Sequence, residues 1–117
     1  MRKTILFDGK ETEFQSSGAT PVLYKQCFKQ DLLATTMKLR ESKTKEQELA
    51  MLDMVMQLTY IMYCEANCKD VFNRLTFESY MKWLMGLSPN AFDGTETNLE
   101  LIQLWRGTTT GTSEAKN

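Results

Sequence analysis

The segment Leu49–Cys64 constrains this chain most, because of its sixteen residues only Asp53, Gln57 and Thr59 are polar. On a helix those apolar side chains fall on nearly every side, so the segment needs cover around most of its circumference. It is shorter than the roughly 20 apolar residues that cross a bilayer, and it contains an acid and an amide, so the surroundings it predicts are protein rather than lipid. With 117 residues and 42% hydrophobic composition, one domain has enough chain to build that cover without disulfides.

The rest of the chain punctuates clearly. Two short strand-like runs within 3–15 flank Asp8-Gly9, a pair suited to the type I′ turn of a hairpin. That turn sets Phe7 opposite Lys10, Ile5 opposite Thr12 and Lys3 opposite Phe14, which gathers Ile5, Phe7 and Phe14 on one face and leaves Glu11 and Glu13 on the other. A lone hairpin is marginal in water, so the apolar face must lie on helices or pair with another chain. Thr20-Pro21 predicts a helix start, with the Thr20 hydroxyl as cap and Leu23, Tyr24, Cys27, Phe28, Leu32 and Leu33 at helical spacing. A break near Asp31 caps a second piece reaching Leu39.

Lys38–Glu48 alternates in charge and reads as a solvated helix end plus linker. After the apolar segment, Asn67–Arg74 reads as a turn or short helical piece. Thr76 then caps a helix with Phe77, Tyr80, Met81 and Leu84 on one stripe, closed near Gly86. A last helix carrying Leu99, Leu101, Ile102, Leu104 and Trp105 ends at Gly107, and Thr108–Asn117 has nothing to pack with. The expected architecture is α+β, mainly α: an N-terminal β-hairpin and about four to five helices in one globular domain over 1–107, with helices within 21–107, followed by a flexible, disordered C-terminal tail at 108–117.

Composition closes several functional classes. The net charge is −1 and the pI near 5.5, against the clustered basic charge that phosphate binding needs. The lysines and arginines at Lys25, Lys29, Lys38, Arg40, Lys43 and Lys45 therefore make nucleic acid a weak third reading. Histidine is absent, which removes the commonest general base and zinc ligand. No nucleotide-binding or nucleophile-elbow motif occurs, so no catalytic residue, cofactor site or enzymatic activity is assigned. Cys64 and Cys68 stand four apart and would supply only two metal ligands; with Cys27 they read as buried thiols, and no metal is assigned. Asp53, amid Leu49, Met54 and Met56, is a candidate perturbed acid that reads better as an exposed strip shared with Gln57. Three free cysteines behind a leader too short for secretion predict a reducing cytoplasm.

Eight methionines are the distinctive compositional fact, with Met51, Met54, Met56 and Met62 in the apolar segment and Met37, Met81 and Met85 elsewhere. Methionine fills irregular cores and also suits surfaces that accept varied apolar partners. Because the central helix is apolar nearly all round, the sequence predicts more apolar surface than one small monomer covers, and hence a homo-oligomer or a partner protein.

The order of these segments resembles the tail assembly chaperones of long-tailed, non-contractile (siphovirus-type) phages and prophages of Gram-positive bacteria. Such proteins open with a small hairpin turning at Asp-Gly or Asn-Gly, then a helix with a pattern like LYxxxFGxDLL. Here Leu23-Tyr24-Lys25-Gln26-Cys27-Phe28-Lys29-Gln30-Asp31-Leu32-Leu33 follows that pattern, with Lys29 in place of the glycine. A charged linker, an apolar helix, and a segment like Leu101-Ile102-Gln103-Leu104-Trp105 before a Thr-rich tail complete the likeness.

The resemblance implies a non-enzymatic chaperone that binds the helical tape measure protein in the host bacterial cytoplasm while tail tube subunits polymerise, and that is absent from the mature virion. It also implies a programmed frameshift, giving a longer form that contacts the tail tube protein. On this reading Tyr24, Phe28, Met51, Met54, Leu58 and Met62 form the apolar surface that self-associates or grips tape-measure helices. The alternative is a small phage or mobile-element adaptor that inhibits a host protein through the same helix.

Overall fold

Asp8 and Gly9 both take positive φ, 51° and 81°, closing a two-residue turn between β1 (Arg2–Phe7) and β2 (Lys10–Gln15). The register pairs Phe7 with Lys10, Ile5 with Thr12 and Lys3 with Phe14, as the turn requires. The structure, a computed structural model, describes the backbone of residues 1–40 and 45–109 and the side chains of residues 1–37 and 50–107. Six helices follow the hairpin: α1 (Thr20–Phe28), α2 (Leu32–Arg40), α3 (Lys45–Asn67), α4 (Val71–Arg74), α5 (Phe77–Met85) and α6 (Thr95–Thr109). The architecture is α+β and mainly α. The four-residue α4 accounts for the helix beyond the expected four to five.

The hairpin lays Ile5, Phe7 and Phe14 on the helices, with β2 against α3 and β1 against α6. Polar ties hold its rim. Asn67 Nδ2 donates to the Glu13 carbonyl at 2.9 Å, Arg2 donates to the Ala66 carbonyl at 3.0 Å, and Ser88 donates to the Asp8 carboxylate from both backbone and side chain. Those two hydrogen bonds hold the Asp8 carboxyl below the usual carboxylate range.

Two helix breaks have local causes. The Asp31 carboxylate accepts from Ala34 N–H at 3.0 Å and caps α2, as its position predicts. Before it, Lys29 closes α1 in the left-handed region at φ 59°, its N–H donating to the Lys25 carbonyl. The break between the two pieces thus forms at the position where the resembled pattern has glycine. At α5, Thr76 Oγ1 accepts from Ser79 N–H at 3.0 Å and Gly86 closes the helix.

Several boundaries and faces differ from the sequence reading. Thr20 does not cap α1: its hydroxyl accepts from Ser17 N–H at 2.9 Å and donates to Glu65 at 2.5 Å, drawing the connector onto α3 instead. The helix α6 continues past Gly107 to Thr109, and the remainder of the expected tail, 110–117, lies outside the described residues. So do residues 41–44 of the expected charged linker. On α5 the inward residues are Tyr80, Trp83 and Leu84, while Met81 faces out and Phe77, though more than half exposed, keeps an edge contact with Phe28. Leu99, expected in the α6 stripe, is also exposed, because Leu101, Leu104 and Trp105 already fill the face toward the hairpin and α3.

Around α3 the hairpin, α1, α2, α5 and α6 all converge. Met54, Val55, Leu58, Tyr60, Ile61, Met62 and Cys64 are buried, whereas Asp53 is exposed and Gln57 half-buried, so Asp53 does mark the outer strip. Most of the described apolar surface of this helix is covered within the monomer, while Leu52 is 38% exposed. No helix among the described residues is long and apolar enough to cross a membrane.

Candidate functional site

Of the six residues assigned to a partner surface, Tyr24, Phe28, Met54, Leu58 and Met62 are buried in the core, and Met51 packs half-buried against it. That assignment is corrected: these side chains build the interior that joins α1 to α3, with Met51 at its edge and Phe28 also lining a surface hollow. Tyr24 also donates its hydroxyl to Gln57 Oε1 at 2.5 Å, satisfying the one polar atom the ring carries inward. Burial pushes its phenol well above the ordinary tyrosine range.

Several buried or half-buried reactive side chains are engaged within the fold. Glu65 accepts from Ser17 Oγ at 2.6 Å and from Thr20 Oγ1 at 2.5 Å, while Ser17 Oγ accepts from Ala19 N–H and Thr20 Oγ1 from Ser17 N–H. The cluster therefore ties the hairpin–α1 connector to α3, and both hydroxyls spend their protons on the carboxylate rather than on a substrate. Burial raises the Glu65 carboxyl, outweighing the two hydrogen bonds that favour its charged form. Burial also lifts the Cys27 thiol to about 11 and the Cys64 thiol to about 12, which keeps both protonated at neutral pH. Among the described residues no group of three or more acidic or cysteine side chains is placed to hold a metal ion.

Exposed apolar side chains include Leu6, Leu52, Phe72 and Leu99, and two further places outside the core gather several of them. One is a groove of about 440 Å³ between α1 and α2, lined by Pro21, Val22 and Leu33 with Lys25, Gln26 and Asp31 around it. Val22 and Leu33 are exposed, and so is Met37 one helical turn further along α2. Gln26 also lines a second, more polar hollow of about 580 Å³, which runs past Cys27 and Phe28 to Leu75 and Phe77. Gln26 itself is fixed by donating to the Phe72 carbonyl at 2.5 Å. Together these hollows make a trough beside α1 with a mainly apolar end and a charged rim of Lys25, Lys29 and Asp31.

The other bare surface is the outer side of α5. Phe77, Met81 and Met85 are 57%, 40% and 81% exposed and recur at i, i+4 and i+8, a ridge along the helix. Apolar residues take up more than half of the α5 circumference, and Tyr80, Trp83 and Leu84 cover only the inner part of that arc.

Sequence reasoning missed Val22, Leu33 and Met85 as surface residues, although two signals were present. Val22 interrupts the polar side of α1, away from the Leu23, Tyr24, Cys27 and Phe28 stripe, and the apolar arc of α5 is wider than one packing contact fills. Comparisons with protein-family models, curated proteins and solved structures found no match to this chain.

Proposed function

We propose that this protein is a non-enzymatic phage tail assembly chaperone that holds amphipathic helices of the tape measure protein in the trough beside α1 and itself self-associates. The observation that carries the reading is the exposed apolar lining of Val22 and Leu33, extended by Met37, on a domain whose own core is filled. An apolar helix face seats its i, i+3 and i+4 anchors in such a groove, and the mixed charges of Lys25, Lys29 and Asp31 at the rim accept its polar flanks. The order of segments, from the Asp8-Gly9 hairpin through the LYxxxF…DLL helix to the Leu101–Trp105 segment, supports the same family.

In this role the protein works in the host bacterial cytoplasm, is left out of the mature virion, and reaches tail tube subunits through a longer frameshifted form. It needs neither nucleic acid nor membrane.

The test is co-expression with the long helical protein that this reading expects to be encoded beside it. Wild-type protein is expected to keep that client soluble and to co-purify with it. Val22→Asp together with Leu33→Asp abolishes capture while the thermal midpoint stays within a few degrees, because both positions already face water. Capture unaffected by the double substitution overturns the groove assignment. A neighbouring gene set with no slippery run, no overlapping frame and no long helical product favours the adaptor reading instead.

A further inference from the structure

We infer that the outer ridge of α5, Phe77–Met81–Met85, is a homodimer surface on which a second copy of this chain packs its own α5 antiparallel about a two-fold axis at Met81. The inference deepens the self-association named above and rests on that part of the reading alone; Met81 and Met85 lie outside the trough beside α1, whereas Phe77 also lines its more polar end.

Three observations carry it. The ridge is symmetric in spacing, with Phe77 four residues before Met81 and Met85 four residues after, so an antiparallel copy sets Phe77 against the partner's Met85 and Met81 against its equivalent. A row of i, i+4 side chains is the kind of ridge that seats in the groove beside the same row on another helix. An isologous contact requires this self-complementarity.

The flank of the ridge is self-complementary in charge as well. Glu78 and Lys82 lie along one side of α5, 3.6 Å apart as an ion pair and largely exposed. Rotation about the two-fold reverses the helix but keeps that flank on the same side, so Glu78 of each copy comes beside Lys82 of the other. Two crossed ion pairs thereby border the apolar strip.

Finally, Glu41–Thr44 and Thr110–Asn117, outside the described backbone, contain no apolar side chain larger than alanine with which to cover the ridge. The strip spans nine residues, about 12 Å of helix. Such an interface falls below the roughly 1,200 Å² of stable complexes, so the dimer forms reversibly at micromolar or higher concentration.

Sedimentation across a concentration series tests the idea. Wild-type protein is expected to shift from monomer to dimer, and Met81→Asp to stay monomeric with an unchanged circular dichroism spectrum and melting midpoint. Glu78→Lys weakens the dimer about tenfold by placing like charges together twice, and adding Lys82→Glu restores most of it. For orientation, oxidised Met81→Cys links into a dimer across the axis, while Met85→Cys does not, because its equivalents lie about 12 Å apart along the helices. A wild-type protein that is monomeric throughout, a dimer indifferent to Met81→Asp, or cross-linking through Met85→Cys but not Met81→Cys each overturns the inference. Client capture is read separately, and Met81→Asp is expected to leave it intact.

Discussion

Phe7 on the hairpin and Trp83 on α5 lie with their ring planes 3° from parallel and centroids 6.1 Å apart. Trp83 also meets Tyr60, Tyr63, Tyr80 and Phe92, so one indole joins β1, α3, α5 and the segment before α6. Aromatic pairs of this kind add to the area they bury. Trp83→Ala is expected to destabilise the fold by about 3 kcal/mol, the lower end for a large aromatic because the ring is only half-buried. Trp83→Phe keeps part of the cluster and costs less. Urea unfolding followed by far-UV circular dichroism measures both.

Lys29 holds the left-handed conformation that closes α1, where an L side chain costs about 1 kcal/mol relative to glycine. Lys29→Gly is therefore expected to stabilise the protein by about 0.5 kcal/mol after the extra chain entropy of glycine is counted, and Lys29→Ala to change little. The readout is the thermal midpoint of the three proteins side by side.

Glu65 makes stability depend on pH in an uncommon direction for a carboxylate. Its folded pKa lies above the unfolded value, so the folded state binds the proton more tightly between the two. The contribution is favourable at and below the unfolded pKa, roughly 4.3, and declines as pH rises through the folded value. Glu65→Gln should flatten this part of the profile while keeping an acceptor for Ser17 or Thr20. Melting midpoints taken from pH 4 to 7 in wild type and variant would show converging curves at the acid end; parallel curves would contradict the assignment.

Thiol labelling separates the cysteines. Cys27 and Cys64 are buried with raised pKa values, whereas Cys68 is half-buried at the end of α3. A neutral-pH disulfide reagent should modify Cys68 in the native protein and reach the other two only on unfolding, at the rate of global opening. Rapid native labelling of all three, followed by mass spectrometry, would show that the α1–α3 contact opens locally.

Local rules made much of the fold legible from residues alone. The Asp8-Gly9 turn determined the hairpin register, since a two-residue loop leaves no slack, and alternation then dictated that Ile5, Phe7 and Phe14 point the same way. Asp31, Thr76 and Gly86 marked helix ends because capping is settled within three or four residues. Thr20 does not serve as the cap because its oxygen already accepts from Ser17 N–H, while its proton goes to Glu65, 45 residues away, a partner that no local rule contains.

The apolar surface was misplaced on similar grounds. Sequence showed that α3 is apolar nearly all round, and that property is real. Whether such a helix is a surface or a centre depends on how many elements surround it, which only tertiary packing decides. Here the hairpin and four helices enclose most of it, so Tyr24, Met54, Leu58 and Met62 became core, and the apolar residues the packing left outside include Val22 and Leu33 beside α1, and Phe77, Met81 and Met85 on α5. Periodicity determines that an apolar side chain shares a face with its neighbours at i+3 and i+4; it carries no information on whether another element is there to meet that face.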